Sequence, residues 1–422
     1  MIAVVGAGIT GLALAHELAR RGAEFLVLEA APRPGGTIRS TRAGGTVLEL
    51  GPQRVRLTPA VRQLVHELGL ERELAVAPPG LPLLVCAGGR LHTVPADLAG
   101  LARTRLLSWH GKLRLLAEPL TAGLRPEETA AAYFERKAGR QAYRRVLGPL
   151  YGGIYAGDPA RMPARFALAP ALRELGVRRS LLAAWLRRAG PRGALPPACS
   201  FREGLATLAD TLCRRHADRI RLATPARGLR RAGARLAVET DAGPVEADHV
   251  VLTVPADAAA TLLAELAPDL ARRLARLTYN PVAIVHLRSD VDLRGLGYQV
   301  AFGEPLETRG VTFHGATFGR TGLYTAFLGG AQNPELAAAP DDVLARTAEA
   351  EFERVTGHGA RALHVTRTRV PAWDASWAAL DGAAPPPGVH LAASYESRPG
   401  IPGRLARARE LADRLAGPER AG

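Results

Sequence analysis

Ile2–Val5 is an unbroken apolar run, Gly6–Gly11 a glycine-rich turn, and Leu12–Arg21 repeats apolar residues at helical spacing until Gly22 stops it. A second apolar run, Phe25–Leu28, ends at Glu29, so the chain opens as strand, turn, helix, strand. Pro59–Leu70 predicts another helix, and Pro78–Pro82 is punctuated by proline and glycine. From Pro95 to about Arg192 the pattern is long, arginine-rich and helical, interrupted by the glycine-rich Gly148–Asp158. Phe201–Leu212 predicts a helix entered through a glycine turn, and Ile220–Ala223 and Arg235–Thr240 alternate like strands. Ala247–Pro255 predicts a continuous strand buried on both faces of a parallel sheet. Asn280–Leu287, Gly297–Phe302, Val311–Phe318 and Leu323–Leu328 predict a second, mostly antiparallel sheet. After Pro385–Pro387 come a strand, Gly388–Ala393, and a closing helix, Pro402–Ala416. No internal repeat is visible.

At 422 residues the chain has room for two or three domains. Its 47% hydrophobic and 23% charged residues exclude wholesale disorder. No stretch approaches the ~20 apolar residues of a membrane-spanning helix, and the first residues enter a strand without a leader, so the expected location is the cytoplasm. Cys86, Cys199 and Cys213 fit neither a disulfide framework nor a metal ligand set, so no metal is expected. The net charge is +15, and between Pro95 and Ser200 stand 18 basic and 7 acidic residues. That segment reads either as a solvated, arginine-biased face or as a surface for anions such as a carboxylated substrate, acidic lipid or phosphate. Nucleic acid is disfavoured because no binding motif accompanies the charge.

Gly6-Ala7-Gly8-Ile9-Thr10-Gly11 matches G-x-G-x-x-G directly after a strand and opening a helix. The first glycine permits the tight turn, the second lets a pyrophosphate approach the backbone, and the third lets helix and strand pack closely. Helix N-terminal amides and the helix dipole favour phosphate there. Glu29, 18 positions beyond Gly11, is placed to accept from ribose hydroxyls. A purely structural turn is the plain alternative, but strand, turn, helix, strand and acid occur in order.

The continuation, Glu29-Ala30-Ala31-Pro32-Arg33-Pro34-Gly35-Gly36-Thr37 and then Glu49-Leu50-Gly51-Pro52-Gln53, resembles the flavin amine oxidase superfamily. Similar stretches recur at Ser200–Leu212, Leu222–Ala226 and Asp248–Pro255. Gly51–Arg56 with Glu67–Leu70, the strand pair Leu83–Pro95, Pro149–Pro159 (PLYGGIYAGDP) and Ala393–Pro402 (ASYESRPGIP) are similar to the protoporphyrinogen/coproporphyrinogen oxidase family in particular. The resemblance implies FAD and an α/β fold: a Rossmann-type FAD-binding domain (1–75, 199–260, 385–422), a mixed-sheet substrate domain (76–94, 261–384) and an inserted helical domain (95–198). It assigns cofactor contacts to the residues Gly6 to Gly11, that is Gly6, Ala7, Gly8, Ile9, Thr10 and Gly11, then to Glu29, Ala30, Arg33, Gly35, Gly36, Thr37, Gly51, Pro52, Gln53 and Arg54. Ala226, Trp373, Ser394, Pro399, Gly400 and Ile401 complete that set.

Departures accompany the resemblance. Ala393-Ser394 stands where family members carry Gly-Asn or Gly-Ala, and the Pro-Gln-Tyr usual after a tryptophan is missing around Trp373–Trp377. Leu83 stands where several members use a propionate-holding arginine, which leaves Arg54, Arg56 and Arg90 as candidates for the substrate carboxylates. Amine oxidation is disfavoured. Amine oxidases of this fold place a lysine near the flavin on a substrate-domain strand, whereas Lys112 and Lys137 both lie in the helical section.

The activity implied is a six-electron oxidation of a porphyrinogen by FAD in three hydride-transfer rounds, with molecular oxygen as acceptor and hydrogen peroxide released. Such chemistry asks the protein for positioning and an apolar cavity, and no catalytic acid–base residue is named. Neither His92 nor His314 is read as a base. Other partners implied are a membrane surface at the inner face and other haem-pathway enzymes; Val177–Arg192 reads equally as an interfacial helix or as a lid. A carotenoid desaturase, a sugar mutase, and a non-catalytic flavin or porphyrin carrier stay open as alternatives.

Overall fold

The computed structural model describes residues 1–177, 179–188, 195–396 and 399–417. Three separated stretches of chain build one parallel sheet, in the order Ile220–Arg221, Phe25–Leu28, Ile2–Val5, His249–Leu252, Val389–Leu391. Ile2–Val5 sits at its centre, buried on both faces. Ile2 and Val4 meet the layer made by the helices Ile9–Arg20, Ala206–Arg215 and Ile401–Ala416. Ala3 and Val5 meet the opposite layer, a three-stranded meander (Ala226–Ala232, Arg235–Thr240, Val245–Ala247) with helices Ala256–Leu263 and Pro268–Leu274. The long apolar run read at Ala247–Pro255 is thus divided. Ala247 closes the meander, only His249–Leu252 joins the parallel sheet, and Thr253 starts the turn beyond.

A second sheet has seven strands, ordered Arg361–Pro371, Tyr279–Arg288, Leu323–Gly329, Thr308–Phe313, Gly297–Val300, Leu83–Ala87, Arg90–Thr93. Every neighbouring pair is antiparallel except Gly297–Val300 with Leu83–Ala87. Val311–Phe318 is not one strand: the chain turns at His314 into a short helix, Gly315–Phe318. Arg361–Pro371 escaped the sequence reading because it is a half-exposed edge strand whose arginines mask the apolar alternation.

The helical segment consists of short helices rather than long ones. Gly148–Asp158 does not interrupt it, since Gly148–Tyr155 is itself an α-helix continuing the π-helical turn Tyr143–Leu147. Glycine is poor in helices, but here close packing requires it. A Cβ at Gly148 would strike the Phe302 ring, and one at Gly153 would lie 2.7 Å from Gln299 Oε1. Tyr151 and Tyr155, one turn apart, bury against each other, and Phe134 meets Tyr151 edge-on. Within Val177–Arg192, residues 178 and 189–192 lie outside the described residues, and the rest forms the helix Leu181–Arg188. It buries Leu182 and Ala184 and packs Trp185 inward.

Candidate functional site

Where the central strand ends, three glycine turns stack on one another. The helix Ile9–Arg20 begins after Gly8, with no side chain capping it and no acid in its first turn. Space is open beside Gly8, where an added Cβ would meet nothing within 4 Å. A Cβ on Gly11, by contrast, would fall deep inside the Gly6 carbonyl oxygen. The second turn docks by a bridge between Gly8 and Gly35 and by the Gly35 amide donating to Ala7 O (2.8 Å). A Cβ on Gly36 would come within 3.4 Å of Gly8 Cα. The third turn docks on the second, since a Cβ at Gly51 would overlap Thr37 O. The result is a backbone groove with Ala30, Gly36, Thr37 and Pro52 exposed along it.

Glu29 ends the second strand with its carboxylate fixed by two amides, Ala7 N to Oε2 (2.6 Å) and Ala31 N to Oε1 (2.8 Å). The stretch before Ala226 lies alongside, Ala223 N donating to Ala31 O and Thr224 N to Glu29 O. Arg33 reaches back to its own loop carbonyls, Pro34 and Gly36. An uncapped helix N-terminus facing open space, an oriented carboxylate and glycines that cannot carry a side chain suit a dinucleotide's pyrophosphate and ribose. FAD fits this groove.

Residues beyond those expected shape it. Thr253 Oγ1 donates to Val5 O or Gly6 O (3.0 and 2.9 Å), holding the first turn from behind. Glu49, fully buried, accepts from the Ser40 and Ser200 hydroxyls, the Leu205 amide and the Arg320 guanidinium. Both stand in stretches that carry the family resemblance, Glu49 at the head of Glu49–Gln53 and Thr253 within Asp248–Pro255, but the sequence alone assigned neither a role.

Arg54 and Arg56 come together beside the third turn. Burial, reinforced by Arg56, pulls the Arg54 guanidinium down to about 10. Among the described residues Arg54 makes one hydrogen bond, to Leu296 O (3.0 Å), and no ion pair. Arg56, more exposed, donates to Pro196 O. Arg90 does not join them; it stands exposed on the outer hairpin of the seven-stranded sheet.

Trp373, with a left-handed φ of 53°, stacks on Trp377, whose indole N–H donates to Tyr395 O (3.2 Å). Ser394 pairs with the Tyr279 hydroxyl, and Gly400, at φ 88°, precedes the buried Ile401 at the start of the last helix. In the segment Ala393–Pro402, Ser397 and Arg398 lie outside the described residues, and Pro399 is exposed beside them. His92 bonds Ala87 O, and burial holds the fully enclosed His314 neutral. Both lysines are engaged in the helical segment, Lys112 with Ala102 O and Lys137 with Glu118.

The fold and groove define a dinucleotide-binding flavoprotein with a second, substrate-facing sheet. The flavin containing amine oxidoreductase family matches residues 9–405. Protoporphyrinogen oxidase 1 of Spinacia oleracea chloroplasts is 30% identical over 397 residues, 83% of this chain and 70% of that protein. The Homo sapiens protoporphyrinogen oxidase is 30% identical over 354 residues, covering 75% and 73%. A crystal structure from Exiguobacterium sp. 255-15, provisionally named a protoporphyrinogen oxidase, superposes with a TM-score of 0.78 at 25% identity, covering 98% of both chains. The chain therefore belongs to the flavin containing amine oxidoreductases and, within them, to the protoporphyrinogen/coproporphyrinogen oxidase family; its cofactor is FAD.

Proposed function

We propose that this protein oxidises protoporphyrinogen IX to the porphyrin, using molecular oxygen and releasing hydrogen peroxide. The carrying observation is the 30% identity to a protoporphyrinogen oxidase across 83% of the chain. When bound, FAD supplies the two-electron acceptor that removes hydrogen from the macrocycle. Over the full reaction six hydrogens leave the porphyrinogen, and three O2 become three H2O2.

The chain's own residues have positioning work. Helix amides after Gly8 and the Glu29 carboxylate hold the dinucleotide, while Arg54, a partly buried cation without an anionic partner among the described residues, holds a substrate carboxylate. Coproporphyrinogen III is the second reading. The paired Arg54 and Arg56 favour a tetracarboxylate, and a Staphylococcus aureus coproporphyrinogen III oxidase is 32% identical over 163 residues, covering 35% of each chain. Incubating the yellow holoenzyme in air with each porphyrinogen and following porphyrin fluorescence tests both. Turnover no faster than autoxidation with either would reject the reading.

We also place the protein against the inner membrane surface, by a face other than Val177–Arg192. Trp109, Leu113 and Leu116 share one side of the helix Trp109–Leu116 and, with Leu120, are exposed by 71%, 62%, 48% and 83%. Arg103 and Arg105, both exposed, stand just before this helix in the chain. An apolar stripe flanked by cations suits the headgroup layer of anionic lipid. No helix among the described residues is long and apolar enough to cross a membrane.

A further inference from the structure

Glu49 and Arg320 form a buried ion pair, 0% and 8% exposed, behind the third glycine turn. Glu49 ends a hairpin strand, two residues before Gly51. Arg320 comes from the seven-stranded sheet, in the loop after Gly315–Phe318, and Ser200 and Leu205 come from a third segment. Both Arg320 guanidinium Nη atoms lie 3.2 Å from Glu49 Oε1, and Nη2 also donates to Phe201 O (3.1 Å). The backbone of Glu49 is gripped as well. Its carbonyl accepts from His286 Nε2 (3.0 Å) and from Gln53 Nε2 (2.8 Å), and that same Gln53 nitrogen donates to Gly51 O (2.7 Å).

A pair this deeply buried is a poor way to gain stability, because apolar residues of similar volume serve about as well. Its directional bonds do something apolar packing cannot: they fix one backbone geometry. The bonds converge on Glu49, and through Gln53 on the turn that closes the FAD groove.

We propose that Glu49 and Arg320 are positioning residues for FAD: the ion pair sets the Gly51–Gln53 turn, and through Arg320 the substrate-side sheet has a direct hold on the cofactor groove. A surface cavity of about 280 Å³ borders the pair, lined by Arg320 with Arg42, Arg202, Phe201 and Phe318. Small cations can therefore reach the position of Arg320 if its side chain is removed.

This makes chemical rescue the test. In folded Arg320→Ala, FAD should bind about 10-fold more weakly, the flavin absorption bands should shift, and kcat should fall on the order of 100-fold. Guanidinium chloride at non-denaturing millimolar concentration should restore all three, sodium chloride at equal strength should not, and the wild type should ignore both. Wild-type FAD affinity and flavin bands in Arg320→Ala, or losses that guanidinium leaves unchanged, would overturn the proposal. Glu49→Gln, which keeps shape and removes charge, decides the matter if Arg320→Ala does not fold. Altered flavin bands and weaker FAD binding support the pair's role, and wild-type values refute it. Affinity and spectrum are read without substrate, so the result stands apart from which porphyrinogen is turned over.

Discussion

The same added carbon at two glycines three residues apart should have opposite consequences. Gly8 has φ −70° and ψ 174°, a conformation open to alanine, and its Cβ would enter empty space at the helix N-terminus. Gly8→Ala should leave the apoprotein within about 0.5 kcal/mol of wild type. That empty space is where the pyrophosphate must come, so the methyl should weaken FAD binding by at least ~10-fold, or about 1.4 kcal/mol. At Gly11 the Cβ would overlap the Gly6 carbonyl oxygen, backbone that a side-chain rotation cannot relieve. Overpacking of this kind costs roughly 1–3 kcal/mol. The first turn is also held by Thr253, so the upper end applies, and over a chain of 422 residues the apoprotein melting temperature should drop by roughly 3 °C. Differential scanning fluorimetry of both apoproteins, with FAD titrations by flavin fluorescence, separates the effects. If Gly8→Ala binds FAD like wild type, or Gly11→Ala melts like wild type, the reasoning fails.

Four more expectations follow from individual residues. Lys137→Met strands the fully buried Glu118 carboxylate and should cost about 3–5 kcal/mol in urea unfolding, where a loss below about 1 would contradict the pairing. His286 is buried neutral with its pKa pushed down to about 4, below the unfolded value near 6.5, so the native state binds fewer protons. Its contribution is intact above pH 6.5 and is lost as pH falls towards 4, on the order of 3 kcal/mol, so His286→Gln should flatten the acid-side decline in urea midpoint; an unchanged decline would assign it elsewhere. Arg54→Gln should raise the porphyrinogen KM about 10-fold with little change in kcat, and Arg90→Gln should do nothing; equal KM values for both variants would remove Arg54 from the site. Trp109→Ser with Leu113→Gln should release the protein from anionic vesicles in co-sedimentation, and undiminished binding would place the contact on another face.

The sequence was most legible where backbone chemistry dictates residue type. A turn that must meet a phosphate calls for glycine, so Gly6, Gly8 and Gly11 were readable from their spacing alone, while Gly35, Gly36 and Gly51 entered only through the family resemblance and the structure stacks their turns on the first. Legibility failed where tertiary contact overrides local preference. In the helix Gly148–Tyr155, Gly148 and Gly153 are glycine for closeness to Phe302 and Gln299, contacts about 150 residues away that no local window contains. The roles of Glu49, Thr253 and Arg320 were missed for the same reason: their partners lie in other segments of the chain. Arg90 was a candidate because Leu83 left the substrate carboxylates without the family's arginine, and the hairpin leaves it exposed at the edge of the sheet.

Oxygen uptake measured alongside porphyrin formation in the purified holoenzyme tests the central claim most directly. Three O2 consumed and three H2O2 formed per porphyrin, at a rate above the uncatalysed background, is the predicted result. A yellow, folded protein that forms no porphyrin beyond that background with either porphyrinogen would contradict it.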